Sequence, residues 1–441
     1  MFIEFHFGNF RSFRDLQKFS LEATPLRSND SGLEEGHVFE EQSLRLLKSK
    51  AIFGSNASGK SNLAKAMAAF CFMVSRSVAV EGIPKGLWND RFQLLSNWDD
   101  QPVFFQYIML HKSIVYRYGF QILSGKVTYE WLYSGTGEHQ AEIFMRTPEG
   151  MNINEKELPA MDNFIKQAQS GDSELFRTDS LFLTAAALSG NKFLGGIRDD
   201  IRRIMAVDGV YDDSALKYAM TAMVEGDEQQ KEAIKSLLRA ADTGIEDLEI
   251  AELPEHLVEL EMKKEISTSM DGNKRKPVSL FSVHSKFNEE GEVVDKIIVP
   301  FGEWESEGTA KLFSVGALIL EALWEGRIII IDEFDARFHP NLTLKIVELF
   351  NNSETNPRHA QLIFVTHDAS LLKRAKLRRD QICFVNKDKY GISTLTNLIE
   401  YKGVRKDASY DKEYLNGSYS AIPYLDKIDW VVKHKSDQDG I

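Results

Sequence analysis

The chain has 441 residues, more than one hydrophobic core usually holds, so two or three lobes are expected. Hydrophobic residues make up 43% and charged residues 27%, the balance of a soluble globular protein rather than a disordered or fibrous one. A net charge of -13 excludes a passive nucleic-acid coat, so any nucleic-acid contact must use a local patch.

Residues 1–23 alternate in apolar character, which predicts an antiparallel edge strand and hairpin. Glu4 interrupts what a signal peptide would need, and no apolar run is long enough to span a membrane, so a cytoplasmic location is expected. Cys71 and Cys383 lie in apolar surroundings and read as reduced core residues, with no zinc spacing. Residues 24–44 carry Pro25, Asn29, Gly32 and Gly36 and read as a loop.

Ala51-Ile52-Phe53 then forms a short apolar strand. It runs into Gly54-Ser55-Asn56-Ala57-Ser58-Gly59-Lys60-Ser61, and a helical pattern opens at Asn62. Strand, glycine-rich loop and helix are the context of a phosphate-binding P-loop. The glycines let successive N–H groups turn inward around phosphate oxygens, and the helix N-terminus adds partial positive charge. Lys60 is placed to reach the β- and γ-phosphates of ATP, and Ser61 to ligate Mg²⁺.

Val103–Met109 and Ser113–Ile122 alternate as strands joined at His111-Lys112, and Lys126–Trp131 continues the meander. From about 160 to 240 helical patterns dominate: Leu181–Leu188, Gly196–Val207, Ala215–Val224 and Glu232–Ala240. No heptad run suggests a long coiled coil. Pro254-Glu255 with Glu261-Met262-Lys263 faintly echoes a nuclease pattern, but the acids are too close and Leu257–Ile266 alternates like an exposed strand. Residues 270–278 read as a polar turn between strands.

Ile328–Ile331 is an unbroken apolar run ending in Asp332 and Glu333, the pattern of a central parallel strand with acids at its C-terminal edge. Asp332 suits a Walker B aspartate holding Mg²⁺, and Glu333 a general base for the attacking water. Gln361–Val365 is a second buried strand, and His367 beyond it can hydrogen-bond a γ-phosphate or that water. Roughly 270 residues separate Lys60 from Asp332, far more than one βαβ unit needs, so a large insertion divides the nucleotide domain. Asn386-Lys387-Asp388-Lys389 resembles a GTPase motif but has Lys where its final aspartate is required, so that motif is rejected. Lys373, Arg374, Lys376, Arg378 and Arg379 form the densest basic cluster, read either as a phosphate contact or as a solvated face near a helix end.

This set resembles the ABC-type ATPase heads of the SMC, RecF and OLD group. Phe2–Phe13, with Asn9-Phe10-Arg11-Ser12, is similar to that group's first strand and the motif that lies near the nucleotide. Ser306-Glu307-Gly308-Thr309 resembles the divergent ABC signature, His367 the switch histidine, and Asp335 with Phe338-His339-Pro340 the stretch that holds the D-loop. Gln93 is the candidate Q-loop glutamine. Ala241–Asp247 and the tail Tyr414–Pro423 are similar to the stand-alone bacterial ATPases of RloA/AbiLii type, related to the ATPase halves of anti-phage systems such as AriA of PARIS. The tail departs from their pattern at Ser418 and Ser420.

The resemblance implies an α/β ABC-ATPase head with a mixed central sheet, an antiparallel β subdomain and a compact, mainly helical insertion. The expected divisions are residues 1–150 for the N-terminal half, 151–250 for the helical lobe and 251–441 for the C-terminal half. It implies an ATP-sandwich homodimer, open to higher assembly, in which Ser306 and Gly308 meet the partner's ATP. It also implies control of an effector protein such as a nuclease, with nucleic acid or a phage component as trigger. Two alternatives stay open: a RecF-like ATPase that clamps DNA, and a nucleotide-gated scaffold with little turnover.

Overall fold

The unbroken apolar strands sort their residues by parity. In a computed structural model, Ile328, Ile330, Ile363 and Val365 face one core, while Ile329, Ile331, Leu362 and Phe364 face another. Side chains alternate across a strand, so covering both faces of one sheet requires apolar residues at every position. The structure describes the chain except for residues 26–30, 79–86, 88, 97, 99, 155, 159–176, 211, 253–266, 272–273, 404–408 and 421–441.

The central sheet has six strands in the order Met205–Asp208, Ile328–Asp332, Gln361–Val365, Ser49–Gly54, Ile382–Lys387 and Ser393–Asn397. All neighbours are parallel except the last pair. The P-loop helix Lys60–Arg76 lies between this sheet and a second, seven-stranded antiparallel sheet. Phe70 of that helix packs against Phe5, Phe105 and Phe120, with ring centroids 5.6, 6.4 and 5.6 Å away. On the other face lie the helices Glu307–Glu325 and Pro340–Phe350, with Asp213–Glu225 and Glu228–Ala240 packed on the first. Asp212 caps Asp213–Glu225 through the amides of Ser214 and Ala215, and Asp227 with Gln230 forms a capping box on the next helix. The fold is of the expected mixed α/β class, with an antiparallel sheet beside the central one and a mainly helical insertion.

Several local expectations change. Phe2–Gly8 is an inner strand, between Val103–His111 and the edge strand Gln17–Ser20. The antiparallel sheet continues past Lys126–Ser134 into Ala141–Thr147 and Gly150–Ile153, and its first tight turn is Lys112-Ser113, both with positive φ. Residues 24–44 are not simply a loop: they contain the helix Ser31–His37 and the start of a hairpin, Val38–Glu41 with Leu44–Leu47. Gly36 serves close approach there, since a Cβ would stand 2.4 Å from the Asn351 carbonyl.

The helix expected over Gly196–Val207 ends at Arg202, and Met205–Asp208 joins the central sheet beside Ile329–Asp332. Hydrogen bonding to an open sheet edge outweighs helical propensity at that point. The described residues of 270–278 are strand, part of Ser267–Asp271 and Lys274–Phe287, which pair antiparallel. The faint nuclease echo at Pro254–Lys263, the strand expected over Leu257–Ile266 and the tail from Ala421 lie outside the described residues. Cys71 and Cys383 are free, and among the described residues no helix is long and apolar enough to cross a membrane.

Candidate nucleotide site

The Ser49–Gly54 strand is buried along its whole length and ends at a loop packed from below. A Cβ on Gly54 would meet the Val385 carbonyl at 2.5 Å, and one on Gly59 the Ser393 and Ser12 hydroxyls at 2.5 and 2.6 Å. Gly59 also has φ +110, which L side chains rarely adopt. The loop therefore closes tightly only with glycine at these places.

Lys60 opens the helix and is 5% exposed. Its ammonium folds back to donate to the Gly54 and Ser55 carbonyls at 2.7 and 2.8 Å. Burial pushes its pKa down to about 8, against the pull of Asp332, Asp335 and Glu333. The buried Ser58 hydroxyl has no hydrogen-bond partner among the described residues. A desolvated cation, an orphaned hydroxyl and a glycine-lined turn at a helix N-terminus fit a nucleotide's phosphates.

The acids arrive from the neighbouring half of the sheet. Ser61 Oγ donates to Asp332 Oδ1 at 3.1 Å, although the two lie 271 residues apart. Burial raises the Asp332 pKa, and the Ser61 hydroxyl opposes that rise. A hydroxyl and a carboxylate at this spacing form a hard-oxygen pair suited to Mg²⁺, which when bound would neutralise charge on the β- and γ-phosphates. Glu333 follows with φ +46 and its amide 3.1 Å from Asp332 Oδ1. The His367 amide donates to Asp335 Oδ1 at 3.0 Å. Partial desolvation and then Lys60 hold the His367 ring below its ordinary pKa, with Asp335, Glu333 and Asp332 acting oppositely. Lys60, Ser61, Asp332, Glu333 and His367 thus share one electrostatic neighbourhood. It can bind a nucleotide's phosphates, hold a divalent cation and offer a base to water.

The Asn9–Phe13 turn backs the loop. Asn62 Nδ2 donates to Ser12 Oγ at 2.7 Å, and the Ser393 hydroxyl lies 2.8 Å from Ser12 Oγ and 2.5 Å from the Ser58 carbonyl. Arg11, at φ +50, pairs with Asp90 at 3.0 Å, and its buried Nε has no hydrogen-bond partner among the described residues. Ser55 makes the turn, while Asn56 and Ala57 are exposed at its tip, Ala57 with φ +61. Gln93 is exposed and its amide turns back to Asn89 O; none of its hydrogen bonds among the described residues reaches the P-loop.

Ser306 caps the helix Glu307–Glu325, accepting from the Thr309 amide at 3.1 Å. Gly308 lies so close to the Arg337 carbonyl that a Cβ would stand 2.7 Å from it. Neither contacts its own P-loop through a hydrogen bond among the described residues. Gly308 packs against the segment after Asp332, where its neighbour Glu307 pairs with Arg337 at 3.0 Å. The basic cluster is split by burial: Arg378 is 5% exposed and clasps Asp380 and Glu34, so it is structural.

Two functional neighbours belong to no motif in the sequence, and a third, Tyr414, opens the tail segment to which the sequence assigned no contact. Ser393 braces the P-loop from the far edge strand. Tyr414, on the tail helix Tyr410–Leu415, packs its ring on Phe53 of the P-loop strand at 5.9 Å and stacks on Phe384 at 5.6 Å. Gly209 donates its amide to the Asp332 carbonyl at 2.8 Å. A Cβ on Gly209 would lie 2.3 Å from that carbonyl and 2.6 Å from that of Glu333. Backbone atoms cannot yield cheaply, so Gly209→Ala should destabilise the fold by about 1–3 kcal/mol. A urea midpoint equal to the parent's would show that the strand edge tolerates the shift. The only signal in the sequence is a glycine closing a short β-rich run.

No curated protein matches the chain. Among solved structures it is similar to the SMC head domain from Thermotoga maritima, at 12% identity and a TM-score of 0.39, with 90% of this chain and 98% of that chain covered. The profile of the family described as "AAA domain, putative AbiEii toxin, Type IV TA system" matches residues 51–373. That span runs from the P-loop strand past the histidine strand and takes in well over half of the sequence, so the chain belongs to this family of P-loop ATPase domains.

Proposed function

We propose that this chain hydrolyses ATP and works as a pair of copies, each P-loop facing the partner's Ser306–Gly308 segment. The observation that carries the reading is the pairing of Ser61 with Asp332 beside Lys60. It joins a phosphate cradle to a Mg²⁺ carboxylate, with Glu333 next in the chain as base. In this reading Lys60 and the P-loop amides bind and orient the phosphates. Ser61 and Asp332 hold the metal. Glu333 takes the proton of the attacking water, and His367 orients that water or the γ-phosphate. Closure on ATP and reopening after hydrolysis would bias a two-state assembly.

The output we propose is control of a partner effector, a nuclease, in defence against phage. The family's description and the likeness to RloA/AbiLii-type ATPases and AriA of PARIS support it. A DNA clamp is the weaker reading, because Arg378 of its basic cluster is held in a buried ion pair.

The exposed start of the signature helix makes no hydrogen bond to its own P-loop among the described residues, so Ser306 should act in trans. Mixing Ser306→Arg protein with Lys60→Ala protein should restore ATPase activity that neither has alone, because a mixed dimer keeps one intact composite site. At equal mixing about half the chains are in mixed dimers with one working site of two, so roughly a quarter of parental activity is expected. No recovery, with mixed dimers shown to form, would refute the sandwich.

A further inference from the structure

Lys311 lies little more than one turn past the Ser306 cap, on the buried side of the helix Glu307–Glu325, and is 5% exposed. Its ammonium donates to three main-chain carbonyls: Glu333 at 3.2 Å, Phe334 at 2.9 Å and Ala336 at 2.6 Å. It also stands 4.2 Å from the centroid of the Phe338 ring, within cation–π range. All three carbonyls belong to the turn that follows the Walker B strand.

That turn is in an unusual conformation. Glu333 has φ +46, which a non-glycine residue holds only when its surroundings fix it. The surroundings are specific. Gly209 grips the Asp332 carbonyl, Asp332 Oδ1 accepts from the Glu333 amide, and the Phe334 amide donates to Val365 O at 2.9 Å. Lys311 adds three attachments, and does so from the signature helix rather than from the sheet. Burial pushes its amine down to about 8, with Arg337 adding to the fall and Asp335, Glu333 and Asp208 opposing it. The Glu333 carbonyl also accepts from the Ala336 amide at 3.1 Å, so removing the amine would leave the Phe334 and Ala336 oxygens to find other partners in a largely buried place and loosen the hold on Glu333.

We propose that Lys311 is a positioning residue for hydrolysis: it clamps the Glu333 backbone so that the carboxylate meets the attacking water. The same side chain rides on the helix whose N-terminus would engage the partner's ATP. Movement of that helix on engagement is therefore passed to Glu333 through Lys311, so the base of one copy answers to the nucleotide of the other. The inference rests on the reading of Glu333 as base and Ser306 as the contact in trans.

The test compares the parent with Lys311→Met, Lys311→Arg, Glu333→Gln and Lys311→Met/Glu333→Gln. A misplaced base costs rate and spares binding, so Lys311→Met should keep KM near the parental value while kcat falls about a hundredfold. Lys311→Arg, with cation and donors retained, should recover most of that loss. Two residues that act through one group are not additive, so the double variant should be within about threefold of Glu333→Gln. A Lys311→Met protein with parental kcat, a rise in KM alone, or a double variant in which the two losses multiply would overturn the proposal. Should Lys311→Met show no cooperative melting, Lys311→Gln, which keeps a donor, takes its place under the same criteria. A parent protein without ATP turnover would sink the reading of Glu333 itself. Parental turnover insensitive to Lys311 would sink this inference alone.

Discussion

Glu333→Gln is expected to bind ATP, to lose turnover by about 10²–10⁴-fold, and to accumulate in the closed, nucleotide-bound assembly. Glutamine has the size and hydrogen-bonding reach of glutamate but cannot take a proton from water. The substitution leaves the backbone problem unchanged, because both residues meet the same φ of +46, held by the same neighbours. Asp332 and Ser61 remain 3.1 Å apart to organise the cation, so ATP affinity should fall little. Light scattering should show ATP-dependent association that persists in the variant and decays in the parent as ATP is consumed. In cells, an effector coupled to the assembly should be locked in one state. Hydrolysis at the parental rate would show that Glu333 is not the base, and a nucleotide-gated scaffold or another base would move ahead.

Lys60→Ala should abolish ATP binding and leave the fold intact. The ammonium is the P-loop cation in the proposed reading, and among the described residues its hydrogen bonds go to the Gly54 and Ser55 carbonyls. It is already desolvated, so its loss removes a costly buried charge along with two hydrogen bonds, and the two changes offset each other. The variant should melt near the parental temperature. Adding ATP and Mg²⁺ at a hundred times the parental Kd should stabilise the parent by about 2.7 kcal/mol and the variant not at all. A variant that still gains stability from ATP would refute the assignment of Gly54–Ser61 as the phosphate site.

The parts of the site that rest on local chemistry are legible in the amino-acid sequence. Gly54–Ser61 announces itself because a phosphate-cradling loop needs glycine, lysine and serine within a few residues. Ile328–Glu333 and Gln361–His367 announce themselves because a strand buried on both faces must be apolar throughout and turn polar only where it leaves the sheet. The division of the nucleotide domain by a long insertion follows from spacing alone. The departures are also local in origin. Gly36 reads as a loop residue by composition, yet it permits close packing against Asn351; Met205–Asp208 continues a helical pattern, yet an open sheet edge captures it.

By itself, then, the sequence determined the P-loop, the strands beside it and the mixed α/β class. Each of those depends on residue type and on periods of a few residues. Only the tertiary structure decided which distant groups meet: Ser61 with Asp332, Gly209 under the Asp332 carbonyl, Ser393 against the P-loop, and Lys311 on the backbone of Glu333. Those contacts are set by the register of parallel strands and the seating of one helix on a turn, neither of which leaves a local pattern. A lysine that caps three buried carbonyls is spelled in the chain just as one that faces water.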